Sequence, residues 1–230
     1  MIKLTKTLAI AGLALSATVA APAIAQVQGR VGTASISRAI QGTTALQTAY
    51  SQVNQTYNAQ IQTAQTKQGE LSELLKPFDT DGNGEINETE SAALQAAPNF
   101  SQIQTLQREI ASINDQVTAA RVYAVEQVLV QYPTALQEVA TQNQVQMVVD
   151  PASLQYAVEE ADITPLVTTA LNAKVPTVGI VPPNGWRPGP NTLQVFQEIQ
   201  RRALIQQIRD QQAQQQNQQQ STQQQAPAGR

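Results

Sequence analysis

The sequence predicts a mostly helical α+β protein in which a long antiparallel coiled-coil hairpin stands on a small body of short strands. Three observations carry that expectation. Two long stretches, from Ile36 and from Ser101, repeat apolar residues at steps of three and four. Short β-branched runs closed by Gly, Asp or Pro flank them. Aromatic residues make up only 4% of a chain rich in Gln and Ala, a composition suited to helices that bury a narrow stripe and poorly suited to a large core.

The chain opens as an export signal. Lys3 and Lys6 precede an apolar run from Leu8 to Ala21, and Ala23-Ile24-Ala25 supplies a small-residue cleavage site before Gln26. The run is shorter than the ~20 residues a spanning helix needs, so cleavage after Ala25 and no stable membrane insertion are expected. The full chain has 14 basic and 17 acidic residues, with no histidine and no cysteine. Loss of Lys3 and Lys6 moves the net charge from -3 to -5. A nucleic-acid partner is excluded on that balance.

The elements follow in order. Val27–Ser35 reads as a strand. The first seam (Ile36, Ile40, Leu46, Tyr50, Val53, Tyr57, Ile61, Ala64, Leu71, Leu75) reads as one helix ended by Pro77. Ser101 is the expected N-cap of the second helix. Its seam (Ile103, Leu106, Ile110, Ile113, Val117, Ala120, Ala124) continues past Leu129 to Val139, with a kink expected at Pro133. Val145–Val149 reads as a second strand and Ser153–Val158 as a third. Asp162 is placed to cap a helix over Ile163–Ala173. Five prolines and three glycines between Val175 and Pro190 have the composition of a linker. Asn191 opens an amphipathic helix, and after Asp210 the nearly pure Gln composition predicts disorder.

One motif carries chemistry. Residues 79–90, DTDGNGEINETE, match the twelve-residue EF-hand loop at every position. Asp79, Asp81 and Asn83 would give side-chain oxygens, Glu85 its backbone carbonyl, Asn87 a water-mediated contact and Glu90 a bidentate carboxylate. Gly84 permits the sharp turn. An all-oxygen donor set favours a hard cation, and this spacing favours Ca²⁺ over Mg²⁺. A single unpaired hand points to weak affinity, about 10⁻⁴–10⁻³ M, and to a structural clip at the hairpin join more than to a sensor.

Other candidates are blander. Glu159, Glu160 and Asp162 read as a solvated turn with a helix cap, Trp186 as a lone aromatic in the linker. The helix from Leu193 to Ile208, with Arg201, Arg202 and Arg209, is expected to dock on the protein itself. Without Cys or His the usual zinc sites and catalytic triads cannot be assembled, so the chain is not expected to be an enzyme.

The segment Val128–Val175 resembles the C-terminal end of the Skp/OmpH family of periplasmic chaperones, most specifically in VQMVVDPASLQYAVEEADITPLVTTALN. The N-terminal VGTASISRAI fits the family's first strand and helix start more loosely, and the likeness spans roughly Val27 to Lys174. The resemblance implies a periplasmic homotrimer whose protomers pool short strands in one β-body. Each would send out a helical tentacle, and the tentacles would enclose unfolded outer-membrane proteins without ATP. Two features depart from the pattern: an acidic chain where the best-known members are basic, and the insertion and tail. A calcium-binding structural or adaptor protein of the envelope, without chaperone activity, is the alternative. The expected division is a leader over 1–25 and a family domain over 26–175, with the hairpin at 36–143 and the EF-hand insertion at 71–97. A linker over 176–190, an amphipathic helix over 191–210 and a disordered tail over 211–230 complete it.

Overall fold

The protein is described as a computed structural model covering residues 29–224, with side chains to residue 216. The expected leader lies outside the described residues. Among those described, no helix is long and apolar enough to cross a membrane.

Strand β1 (Arg30–Thr33) leads into α1 (Ile36–Gln41), α2 (Thr44–Thr56) and α3 (Asn58–Leu75). The single first helix expected from the sequence is therefore divided. The break falls at residues 42–43. Gly42 closes α1, its N–H donating to the Arg38 carbonyl, and a Cβ there would sit 3.1 Å from Thr168 Cγ2, so a larger residue would need Thr168 to give way. Thr43 then caps α2, its hydroxyl accepting from the Leu46 N–H. The second break is slight: Tyr57 leaves helical geometry, yet its N–H still donates to Val53 and its carbonyl accepts from Ile61.

After the loop come α4 (Glu88–Gln95) and α5 (Phe100–Leu129), a helix of 30 residues and ~45 Å. It starts one residue before the expected cap, and Asn99 at the cap position makes no side-chain hydrogen bond. Helices α2 and α3 both pack against α5, with Asn54 of α2 bonded to Arg121 near the base and Lys67 of α3 paired with Glu109 further out. As the first partner number rises the second falls, so the hairpin is antiparallel, as expected. Its shaft buries little more than Val53, Tyr57 and Ala64 against Val117 and Ala120.

In place of the kink at Pro133, α5 ends at Leu129 and α6 (Tyr132–Gln142) begins, with the proline in its first turn, where its missing N–H costs no bond. Strand β2 (Val145–Val149) pairs in parallel with β1, Val31 opposite Met147 and Thr33 opposite Val149. The third strand expected at Ser153–Val158 does not form. The chain makes a short 3₁₀ turn at Pro151–Ser153 and another at Glu159–Ala161, and only an isolated bridge joins Thr33 to Asp162. Tyr156 and Val158 point outward, so this segment has no core face to fix a strand register. Helix α7 (Thr164–Lys174) follows, with Asp162 Oδ1 accepting from the Thr164 N–H at 3.0 Å.

The segment read as a linker is docked. The Gln127 side-chain amide pairs with both the N–H and the carbonyl of Gly179, each at 2.9 Å. Trp186 packs edge-on to Tyr123 at 5.3 Å and donates to Glu126, which also accepts from Thr192. Helix α8 (Pro190–Gln224) returns to the body through buried Val195 and Ile199 and runs on into the tail expected to be disordered. Gln and Ala are good helix formers, and a helix already nucleated on the body extends at little cost.

The body's core is helical. Ile40, Leu46, Val125, Val128, Val167 and Leu171 are buried at its centre, from α1, α2, α5 and α7. Truncation of Ile40, which has no exposed surface, should lower unfolding stability in urea by about 2–5 kcal/mol as Ile40→Ala. Val130→Ala, at a site 65% exposed, should change it by less than about 0.5 kcal/mol.

Candidate metal centre

The loop between α3 and α4 is built on an apolar platform at the hairpin tip. Leu71 and Leu94 close against Ile103, Leu106 and Ile110 of α5, and Phe78 and Ile86 pack on them from either end of the loop. Phe78 and Ile86 thus fix both ends of the loop while the polar residues between them face outward.

Asp79, Asp81 and Glu90 each bring a carboxylate oxygen within 4.8 Å of the others. The backbone achieves this through Gly82 and Gly84, at φ +72° and +83°, where a side chain would be strained. Asp79 accepts from the N–H groups of Asn83 (3.1 Å) and Gly84 (2.8 Å). Asn83 lies beside Asp81, its side-chain amide donating at 2.9 Å, and its own Oδ1 accepts from the Glu85 N–H at 2.7 Å. Glu85 itself is exposed, as its expected main-chain role allows.

Asn87 has a further role beside the one expected. Its Oδ1 is the N-cap of α4, accepting from Thr89 and Glu90, and its amide faces Asp81 Oδ2 at 3.5 Å. The reciprocal bond, Asn87 N–H to Glu90 Oε2 at 3.1 Å, completes a capping box. The Asn-x-x-Glu spacing was the signal for it in the sequence.

Glu90 is the hinge of the site. Only 4% of its surface is exposed, and Oε1 accepts from both the hydroxyl and the N–H of Thr80 at 2.6 Å. The Thr80 hydroxyl, the Asn87 N–H, and the Thr80 and Asp81 N–H groups together hold its carboxyl below the usual value, against the opposing effect of burial. Thr80 was not singled out in the sequence; a hydroxyl beside the first loop aspartate was its only trace. The donor set is all oxygen and converges from both ends of the loop, which fits a hard cation such as Ca²⁺.

The other sequence candidates lie in the body. Asp162 pairs with Arg38 and accepts from the Thr164 N–H, although the cap position of α7 falls one residue later than expected, at Ile163, while Glu159 and Glu160 sit in an exposed turn. Trp186 is held by Glu126 and Tyr123.

A depressed carboxyl stabilises the fold above its unfolded-state value and ceases to do so as the pH falls through the folded one. For Glu90 the loss therefore begins near its ordinary 4.5 and proceeds downward. Hydrogen exchange at the Thr80 amide should accelerate, relative to its intrinsic rate, as the pH drops from about 6 to about 3. In Glu90→Gln the step should be absent.

Comparison with known proteins places these features in a family. The model of the OmpH-like outer membrane proteins matches residues 30–171, more than half of the chain. A solved structure from Caulobacter crescentus CB15, described as a candidate outer membrane chaperone (OmpH-like), is similar at 19% identity and a TM-score of 0.40, over 68% of this chain and 91% of that one. No curated protein matches the chain. The matched span holds both strands, the hairpin with its tip loop, and most of α7, and it ends before the docked segment and α8. The chain belongs to the OmpH-like outer membrane protein family.

Proposed function

We propose that this protein is a non-enzymatic, ATP-independent holdase of the periplasm that binds unfolded outer-membrane proteins, with a Ca²⁺-binding clip at the tip of its hairpin. The observation that carries the reading is the family match across the strands and the hairpin together. A chaperone of this kind needs a surface that holds chains without folding them, and the shaft suits that task. Its buried stripe is thin, and the rest of its perimeter is polar, mostly Gln, Thr and Asn with a few charges of both signs.

A homotrimer belongs to the same reading. The sheet has only two strands, and Val31 (43% exposed) and Met147 (49% exposed) lie opposite each other on an uncovered face. Strand edges and apolar side chains in that state favour pairing with further copies. The predicted export signal and the family's outer-membrane clients are the grounds for a periplasmic location.

A porin diluted from urea should stay dispersed when the chain from Gln26 to Arg230 is present, without nucleotide. Light scattering of the chain alone should give the mass of three protomers. Equal precipitation with and without the protein would leave the calcium-dependent adaptor as the better reading, which the acidic charge and the ordered tip loop favour.

The calcium clip is tested separately. Asp79, Asp81 and Glu90 repel one another, and an ion at their centre would relieve that repulsion and join the end of α3 to the start of α4. Calorimetry should show Ca²⁺ binding in the range of about 10⁻⁴–10⁻³ M, weakened at least about tenfold in Glu90→Gln and unchanged in Glu88→Gln. Equal binding by the wild type and Glu90→Gln would reduce the loop to a polar turn.

A further inference from the structure

We propose that the cavity between α1 and α8 is a binding site for a phosphate-bearing anion with more than one negative charge. It has a volume of about 390 Å³, and Arg38, Arg201, Arg202 and Arg209 line it together with Gln41 and Gln206. Four guanidinium groups around one opening are unexpected in a chain of net charge -3 that carries only 14 basic residues in all.

The local charges do not cancel. Arg38 is paired with Asp162, and Arg202 with Glu198 at 2.9 Å. Burial pushes the Glu198 carboxyl up, but the Ser37 hydroxyl, Arg202 and the charge of Arg201 bring it below its usual value, so it stays ionised beside Arg202. Asp210, the next acid along α8, is turned to the Gln206 amide at 2.9 Å. Arg201 and Arg209 make no ion pair among the described residues. With Asp162, Glu198 and Asp210 set against the four guanidinium groups, the cavity keeps an excess of positive charge, and Arg201 and Arg209 are its two arginines outside an ion pair among the described residues.

The chemistry of the ligand follows from their type and spacing. A guanidinium presents a planar fork of N–H donors that matches two oxygens of one phosphate. Arg201 and Arg209 are eight residues apart, ~12 Å along the helix axis, with Arg202 and Arg38 at the same opening. Their long side chains reach the same opening, where a pyrophosphate or a multiply phosphorylated group offers oxygens to several forks at once, with Gln41 as a neutral donor. Ile205 also lines the cavity, and Leu204 and Ile208 beside it are 57% and 45% exposed, so the phosphate could arrive free in solution or as the headgroup of a lipid. The site rests on α8, beyond the span shared with the family, and is independent of the chaperone reading.

The test uses the chain from Gln26 to Arg230 with two probes, inorganic pyrophosphate by calorimetry and vesicles of phosphatidylcholine with or without phosphatidic acid by flotation. The variant is Arg201→Gln with Arg209→Gln, both exposed and outside any ion pair, and Arg108→Gln on α5 is the control. Binding of pyrophosphate that weakens at least about tenfold in the double variant and not in the control supports a site for a soluble phosphate. Flotation only with phosphatidic acid, lost in the double variant, supports the lipid headgroup. Circular dichroism equal to wild type confirms that the variant is folded. Three results would overturn the proposal: no binding in either arm, binding unchanged in the double variant, or citrate binding as tightly as pyrophosphate.

Discussion

Every apolar cluster of this protein is built on one helix. The buried side of α5 carries Ile103, Leu106 and Ile110 at the tip, Val117 and Ala120 in the shaft, and Val125 and Val128 in the body. A single stripe of about eight turns has to serve three packing environments, and the spacing of apolar residues along it sets how strongly each is held. At the tip, large residues recur and gather Phe78 and Ile86 from the loop. In the shaft they shrink to Val and Ala, so the two helices stay close but hold each other weakly. In the body the partners come from α1, α2, α7 and α8, and burial is complete.

That division explains how the tip can tolerate three converging carboxylates. The loop bears a concentrated negative charge, yet its ends are clamped by apolar contacts with α5, and its interior is stitched by N–H donors to Asp79, Asp81 and Glu90. Electrostatic repulsion in an exposed loop is modest at physiological salt, and the donors are already in place to offset it. The body solves a similar problem differently. Glu126, part-way buried on α5, is satisfied by Trp186 and Thr192, and in being satisfied it anchors the segment before α8.

Much of this was legible in the sequence because it depends on local pattern. The two seams, the two short strands that flank them and the convergence of the loop carboxylates all follow from spacing within a few residues. The features that were misjudged depend on partners far along the chain. The close approach of Thr168 to Gly42, at the break between α1 and α2, is a contact that no window around residue 42 contains. The segment 176–190 has a linker's composition, and only the placement of Gln127 and Glu126 makes it a docked strap. At Ser153–Val158 the propensity for a strand is present, but Tyr156 and Val158 find no core to pack on. Asn87 is a local case: its Asn-x-x-Glu pattern belongs to two motifs at once, and the capping box of α4 is one of them.

The parallel pairing of β1 with β2 has a consequence for how the molecule comes to be folded. Arg30 stands opposite Val145, so the sheet closes a loop that contains the whole hairpin. Closing so long a loop by itself is entropically costly, and two short strands offer little in return. The hairpin must therefore collapse first and carry the strand ends together. On the ribosome, at about 5–20 residues per second, β1 waits roughly 6–23 s for its partner to be made. Through that interval the first strand is an unpaired edge, and the polar length of the hairpin is what separates it from its match.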